Sequence, residues 1–311
     1  MLGFDRMHIK PEDAFHIIEE NDRTAYLYHA PVGAMQENEV SVTVYNSGAV
    51  LPYSMRTRGY ETLTLEEGSA ELTAAGKRCV IEPGDMIQIE PYMPYSLKFL
   101  SEGCKLRELF QELDRYGSHI DMTCIKNMNA GLLDDETFMK GYQKELIRLP
   151  EPEAVTADKS EMPMVMPRGK GWVTFSAKGI RMTLKVGRWQ LNGNKEVWEY
   201  RIDRDRGFIF SGQNPDESIY AVCEGKMQVE AAGRMFEAVA GEFICIPQFT
   251  PFKMQASEEG AVIHDYNCKI TLFRAMEEIK TESAKEGADP AAVRAKYFAS
   301  NRLHLLDAYE A

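Results

Sequence analysis

The stretch Gly48–Gly68, GAVLPYSMRTRGYETLTLEEG, and its continuation Gly84–Leu97, GDMIQIEPYMPYSL, decide the fold. Both consist of short alternating or apolar runs that end at glycines, the pattern of strands joined by tight turns. Displacing the sequence by 157 residues repeats the pattern without a gap: Gly68 falls on Gly225, Gly76 on Gly233, Gly84 on Gly241 and Gly103 on Gly260. At the same displacement Glu39-Val40 meets Glu196-Val197, Ser54 meets Ser211, Ile89 meets Ile246 and Pro94 meets Pro251. Turn glycines fix where strands reverse, so a gap-free match over roughly 70 residues describes the duplication of one β-rich unit.

The chain has 311 residues, enough for two such units with cores of their own. Strand-like runs at about ten-residue spacing predict an all-β core in each half. Helical patterns follow each β-rich block: DDETFMKGYQKELIRL in the first half, then TLFRAMEEIKTESAKEG and DPAAVRAKYFASNRLHLLDAYEA in the second. The last of these contains Asp289-Pro290, an N-cap followed by proline at the first helical position. Residues 149–167, LPEPEAVTADKSEMPMVMP, are rich in proline and charge without periodicity and read as a linker. The expected organisation is therefore a first unit over 1–148, the linker over 149–167 and a second unit over 168–311.

Composition narrows the partners. With 36 Lys plus Arg against 48 Asp plus Glu, the net charge is −12, which gives no global attraction to nucleic acid or to an anionic membrane. The first residues, MLGFDRMHIKPEDAF, carry acidic residues and a proline where a signal peptide needs an apolar run, and no stretch of about 18 apolar residues occurs. A cytoplasmic protein is expected. Six cysteines without a CxxC pair and six histidines without HxH or HExxH spacing argue against structural zinc, a disulfide framework and a local histidine metal centre.

The intervals in Gly48–Gly68 resemble the first motif of the cupin superfamily: a glycine, five residues, two histidines one apart, four residues, a glutamate, six residues and a glycine. Ser54 and Arg56 stand where the histidines belong, and Glu61 keeps the glutamate. The run from Gly84 is similar to the second motif, with Tyr95 at the third histidine position; in the second copy, GEFICIPQFTPF places Phe252 there, and Ser211, Gln213 and Ser218 take the other ligand positions. The resemblance implies a bicupin, two tandem cupin-type barrels of the double-stranded β-helix or jelly-roll kind. It also implies that neither barrel holds the metal usual in the family, because divalent transition metals want imidazole, carboxylate or thiolate donors. No other cofactor is expected.

In that register Ser54, Arg56, Glu61 and Tyr95 converge inside the first barrel. Arg56 would clamp a substrate carboxylate or enolate while Glu61 or Tyr95 moves a proton; alternatively, Arg56 and Glu61 neutralise one another as a buried pair. In the second barrel Ser211, Gln213 and Ser218 would hydrogen-bond a ligand between walls of Trp198, Tyr200 and Phe252. His264 is a candidate general base there, held by Asp265 or a neighbouring carboxylate, although Asp265 falls on the opposite strand face unless a bulge intervenes, and the displacement pairs His264 with Arg107, a further substrate-binding candidate. Cys268, on the same strand face as His264, reads as a small core residue.

The expectation is a metal-independent bicupin acting on a small polar metabolite, carboxylate or sugar-like, by isomerase, epimerase or lyase chemistry. A non-catalytic binding bicupin and a metal-dependent oxygenase or decarboxylase with unconventional ligands are the alternatives. A homodimer is the expected assembly.

Overall fold

The computed structural model describes residues 7–29, 38–113, 115–191, 195–210, 217–268, 272–300 and 303–306. The chain divides into two compact units, one formed by Ala14–Gly169, the other by the described residues from Lys170 onward together with residues 7–13. The first unit does not begin at the N-terminus: His8–Ile9 pairs with Phe243 and Ile244, and Met7 packs in the second unit's core.

Two sheets build the first unit. One runs Leu146–Arg148, Val50–Arg56, Tyr95–Phe99, Ala70–Ala74, Lys77–Ile81 and Val155–Thr156; the other runs Val165–Met166, Met86–Ile89, Tyr60–Glu67, Cys104–Gln111, Asn38–Tyr45, Arg23–His29 and His16–Glu19. Strand alternation turns Leu72, Leu97 and Phe99 of the first against Leu63, Leu65, Ile87 and Leu106 of the second, and Tyr45 stacks on Phe99 at 3.7 Å between centroids. The segment expected as a linker is part of this unit. Val155–Thr156 and Val165–Met166 extend the two sheets, Met162 and Met164 enter the core, and Lys159 lies 2.5 Å from Asp85.

The second unit is one ten-stranded sheet, including His8–Ile9, in which Ser218–Ala231 and Phe252–Cys268 pair along their length, shifting register near Cys223 and Lys226. Among the described residues the sheets of neither unit close into a barrel; each is a jelly roll, with short strands left at the edges. The turn glycines behave as their spacing requires. Gly68 and Gly225 both have positive φ, and an added Cβ would overlap Cys104 Sγ in one copy and the Gly260 carbonyl in the other.

The duplication reaches further than the motif region. At the displacement of 157, Leu146–Arg148 meets Leu303–Leu306, helix α1 (Arg115–Asn129) meets α3 (Leu272–Ser283), and α2 (Glu136–Tyr142) meets α4 (Pro290–Ser300).

Candidate functional site

A cavity of about 740 Å³ opens in the first unit. Its walls come from both sheets, from α1 and from Tyr142, Gln143 and Glu145. Ser54, Arg56, Glu61 and Tyr95 all line it. Arg56 Nε donates to Glu61 Oε1 at 2.5 Å, and the Tyr95 hydroxyl donates to Glu61 Oε2 at 2.5 Å, so the carboxylate is held between a guanidinium and a phenol. The Glu61 side chain is 4% exposed, whereas that of Arg56 is 35% exposed toward the cavity. Burial works against the Arg56 charge, but Glu61 and Tyr95 outweigh it and the guanidinium pKa rises. Burial and the Glu61 charge push the Tyr95 phenol well above its ordinary value, so Tyr95 is a protonated donor at neutral pH.

A second carboxylate faces the same cavity. Glu108, buried on Cys104–Gln111, accepts from the Ser41, Thr43 and Tyr45 hydroxyls of the neighbouring strand and from Arg115 Nη1 at 3.0 Å. Arg115 is the first residue of α1. It also donates to Ser41 and Thr43, lies over the Phe110 ring, and approaches the buried Glu39 at 3.7 Å. Burial opposes its charge, yet Glu108, Tyr45 and Glu39 raise its pKa. Glu39 in turn accepts the Tyr116 backbone N–H at 2.9 Å, so two buried carboxylates fasten the start of the helix that roofs the cavity.

Sequence reasoning passed over Glu108, Arg115 and the helix. A signal existed: Glu108 meets Asp265 at the displacement of 157, a carboxylate in both copies, and Arg115, Ser118, His119 and Met122 recur at one-face helical spacing.

The other expected residues lie elsewhere. Arg107 points away from the cavity, one residue out of phase with Glu108, and pairs with Glu66 at 3.1 Å. His264 likewise points away from its unit's core, with Nε2 at 3.4 Å from Glu199, beside the buried Lys185 and the Tyr266 hydroxyl. Asp265 takes the core-facing position and accepts from Tyr200 at 3.4 Å. No bulge brings the two to one face. Trp198, Tyr200 and Phe252 are packed core residues, with Phe252 against the rings of Phe208, Phe210 and Tyr220. Ser218 is buried and stands across from Ile246 of the neighbouring strand. Ser211 and Gln213 fall outside the described residues, as does the Cys268 side chain.

No family model and no curated protein matches the chain. Solved structures do. An oxalate decarboxylase from Lactobacillus farciminis, in its formate complex, is similar with a TM-score of 0.55 at 16% identity over 92% of this chain and 95% of that one. An 11S globulin from Wrightia tinctoria, with an auxin-binding site, gives 0.57 at 10% identity over 97% and 95%. A Bacillus subtilis oxalate decarboxylase with Mn(II) centres gives 0.52 at 13% over 92% and 85%. Oxalate decarboxylases and 11S globulins are bicupins.

The fold is that of a bicupin.

The cavity of the first unit does not suit the divalent metal that the Bacillus protein holds. Both oxygens of Glu61 are engaged, one of them by a guanidinium that would repel a cation, and Ser54 and Tyr95 are weak neutral donors. Among the described residues no group of three or more His, Cys, Asp or Glu side chains is placed to hold a metal ion. No described helix is long and apolar enough to cross a membrane.

Proposed function

We propose that the first unit of this bicupin takes a small polar metabolite, a carboxylate or sugar-like molecule, and transfers a proton on it without a metal. The observation that carries this reading is the unbroken chain Arg56–Glu61–Tyr95 on the cavity wall, a fixed cation, a carboxylate and a protonated phenol within hydrogen-bond reach of one another. A similar fold holding formate supports a carboxylate ligand.

In the reaction that suits this set, Glu61 uses a free lone pair to take the proton from a carbon beside a carbonyl. The C–H electron pair becomes the enol double bond, Tyr95 gives its proton to the carbonyl oxygen, and Arg56 offsets the charge that develops. Where the deprotonated carbon bears a hydroxyl, Glu61 then returns its proton to the former carbonyl carbon while Tyr95 recovers one from that hydroxyl, whose oxygen becomes the new carbonyl. The result is an isomerisation with no net proton consumed.

The test is solvent exchange in D2O followed by proton NMR, with chelator-treated protein and a panel of 2-hydroxy acids, 2-oxo acids, aldoses and uronic acids. Wild type should wash deuterium into at least one compound at the carbon beside its carbonyl. Glu61→Gln should slow this by about a hundredfold or more and Tyr95→Phe by about tenfold to a hundredfold. Exchange that survives Glu61→Gln removes Glu61 from its role, and binding across the panel without exchange makes the protein a non-catalytic binder in which Arg56 and Glu61 simply neutralise each other.

A further inference from the structure

Most cations around the first cavity are already matched. Arg23 is paired with Glu20 and Asp22, Arg56 with Glu61, Arg58 with Glu145 and Arg115 with Glu108. Arg148 also lines the cavity, and among the described residues no carboxylate faces it. The Ser54 hydroxyl, on the same wall, likewise makes no hydrogen bond among the described residues.

The sheet register puts these two groups together. Leu146–Arg148 is the edge strand, and Arg148 stands directly across from Ser54; on the other side of Ser54, across the next strand pair, stands Tyr95. Directly opposed residues in antiparallel strands have Cβ atoms about 5 Å apart. Tyr95, Ser54 and Arg148 therefore form a row on one face: an uncommitted guanidinium, an uncommitted hydroxyl, then the phenol that donates to Glu61. Arg56 is two residues along the strand from Ser54, on the same face, with its Nε already committed to Glu61.

We propose that Arg148 and Ser54 form the subsite for the substrate's carboxylate, and that the substrate is a short monocarboxylate substituted at carbon 2. The proposal rests on the proton-transfer reading for its choice of carbon, since it places carbon 2 beside Glu61 and Tyr95. The charge and donor count fit. A guanidinium offers a planar pair of N–H donors to the two carboxylate oxygens, and a hydroxyl satisfies a further lone pair. One unneutralised cation balances one negative charge. At the displacement of 157 the place of Arg148 is taken by Leu305, so this cation belongs to the first copy alone.

The test uses lactate, glycolate and pyruvate as probes, with lactamide as the neutral counterpart and inorganic phosphate as a competing anion source. Binding is read by ligand-observed NMR on wild type, Arg148→Met, Arg148→Lys, Ser54→Ala and Glu61→Gln. Wild type should bind at least one of the three acids and not lactamide. Arg148→Met should weaken that binding by about tenfold to a hundredfold, Arg148→Lys should restore part of it, and Ser54→Ala should cost about fivefold. Because Arg148 is exposed on an edge strand, its replacement should leave the thermal midpoint unchanged, and Arg148→Lys guards against a folding artefact. Equal binding by wild type and Arg148→Met overturns the subsite, as does a wild type that binds none of the acids or prefers phosphate. Glu61→Gln should retain acid binding while losing exchange. Retained exchange in that variant, with Arg148-dependent binding intact, would sink the proton-transfer reading and leave the carboxylate subsite standing.

Discussion

The two jelly rolls share a displacement of 157 residues from their first long strand to their last short one, yet one lines a polar cavity and the other, among the described residues, packs a large apolar core at the matched positions. The difference is concentrated at matched positions. Ser41 and Thr43, which hydrogen-bond Glu108, correspond to Trp198 and Tyr200; Leu51, Leu63 and Tyr95 correspond to Phe208, Tyr220 and Phe252. Each exchange in the first four adds volume, and Tyr95 to Phe252 removes the polar handle. The helices follow the same rule. Leu272, Ala275, Met276 and Ile279 of α3 are buried, whereas Arg115, Ser118, His119 and Met122, at the corresponding places in α1, line the cavity, and α1 buries no residue. One backbone thus supports either an apolar core or a polar cavity, according to a handful of inward side chains.

The largest expected contrast is in truncation. Phe252→Ala, which empties a ring-packed core, should cost about 3 to 5 kcal/mol, whereas Tyr95→Phe at the matched place should cost about 1.5 kcal/mol for its hydrogen bond to Glu61. Denaturant unfolding measures both; equal losses would mean that the second interior is not the better packed of the two.

A comparable effect is expected at the cavity roof. Arg115→Leu, which copies the residue found in α3, leaves Glu108 buried without its cation and should destabilise the first unit by about 3 kcal/mol or more. Adding Glu108→Gln to that variant should recover a good part of the loss. If the double variant is no better than Arg115→Leu alone, Arg115 acts through packing on Phe110 rather than through charge.

Acid should weaken the second unit in a defined window. Burial alone would raise the Glu199 carboxyl, but its hydrogen bond with His264 and the Lys185 charge hold it at about 2, below the ordinary 4.5. A depressed folded pKa means stabilisation that is complete above pH 4.5 and disappears as pH falls toward 2, worth about 3 kcal/mol. Wild type should lose that much more stability than Glu199→Gln between pH 5 and 2. Parallel pH profiles would show that the Glu199 cluster contributes nothing net.

The smallest contrast separates the helices. With four buried side chains, α3 should exchange its backbone amides about tenfold or more slowly than α1 beyond the first turn, where Arg115 and Glu39 fasten it. Hydrogen exchange with mass spectrometry reads this directly, and equal protection would show that the cavity roof is as firmly packed as the plug.

These contrasts also sort what could be read in the chain. Residues at motif spacings were legible: Arg56 and Tyr95 lie on one sheet and Glu61 on the other, and they meet in the cavity. Arg107 and His264 were misplaced by one residue of parity. Alternation sends neighbours to opposite faces, and only pairing with adjacent strands shows that Glu108 and Asp265, rather than Arg107 and His264, face inward. The segment 149–167 read as a linker because strands of two residues are too short to show a period, although pairing with Lys77–Ile81 and Met86–Ile89 makes them part of the sheets.

By itself the sequence determined the duplicated β architecture, because turn glycines and strand alternation are local constraints that each residue carries with it. It also singled out Arg56, Glu61 and Tyr95 as one set, and the three are hydrogen-bonded to one another through Glu61. Tertiary structure alone decided that the first copy has a polar cavity, that α1 lines it, and that Arg148 stands beside Ser54 with no acidic partner among the described residues. Those outcomes depend on volumes summed across two sheets and a helix, and on registers between strands far apart in sequence, quantities that no local pattern contains.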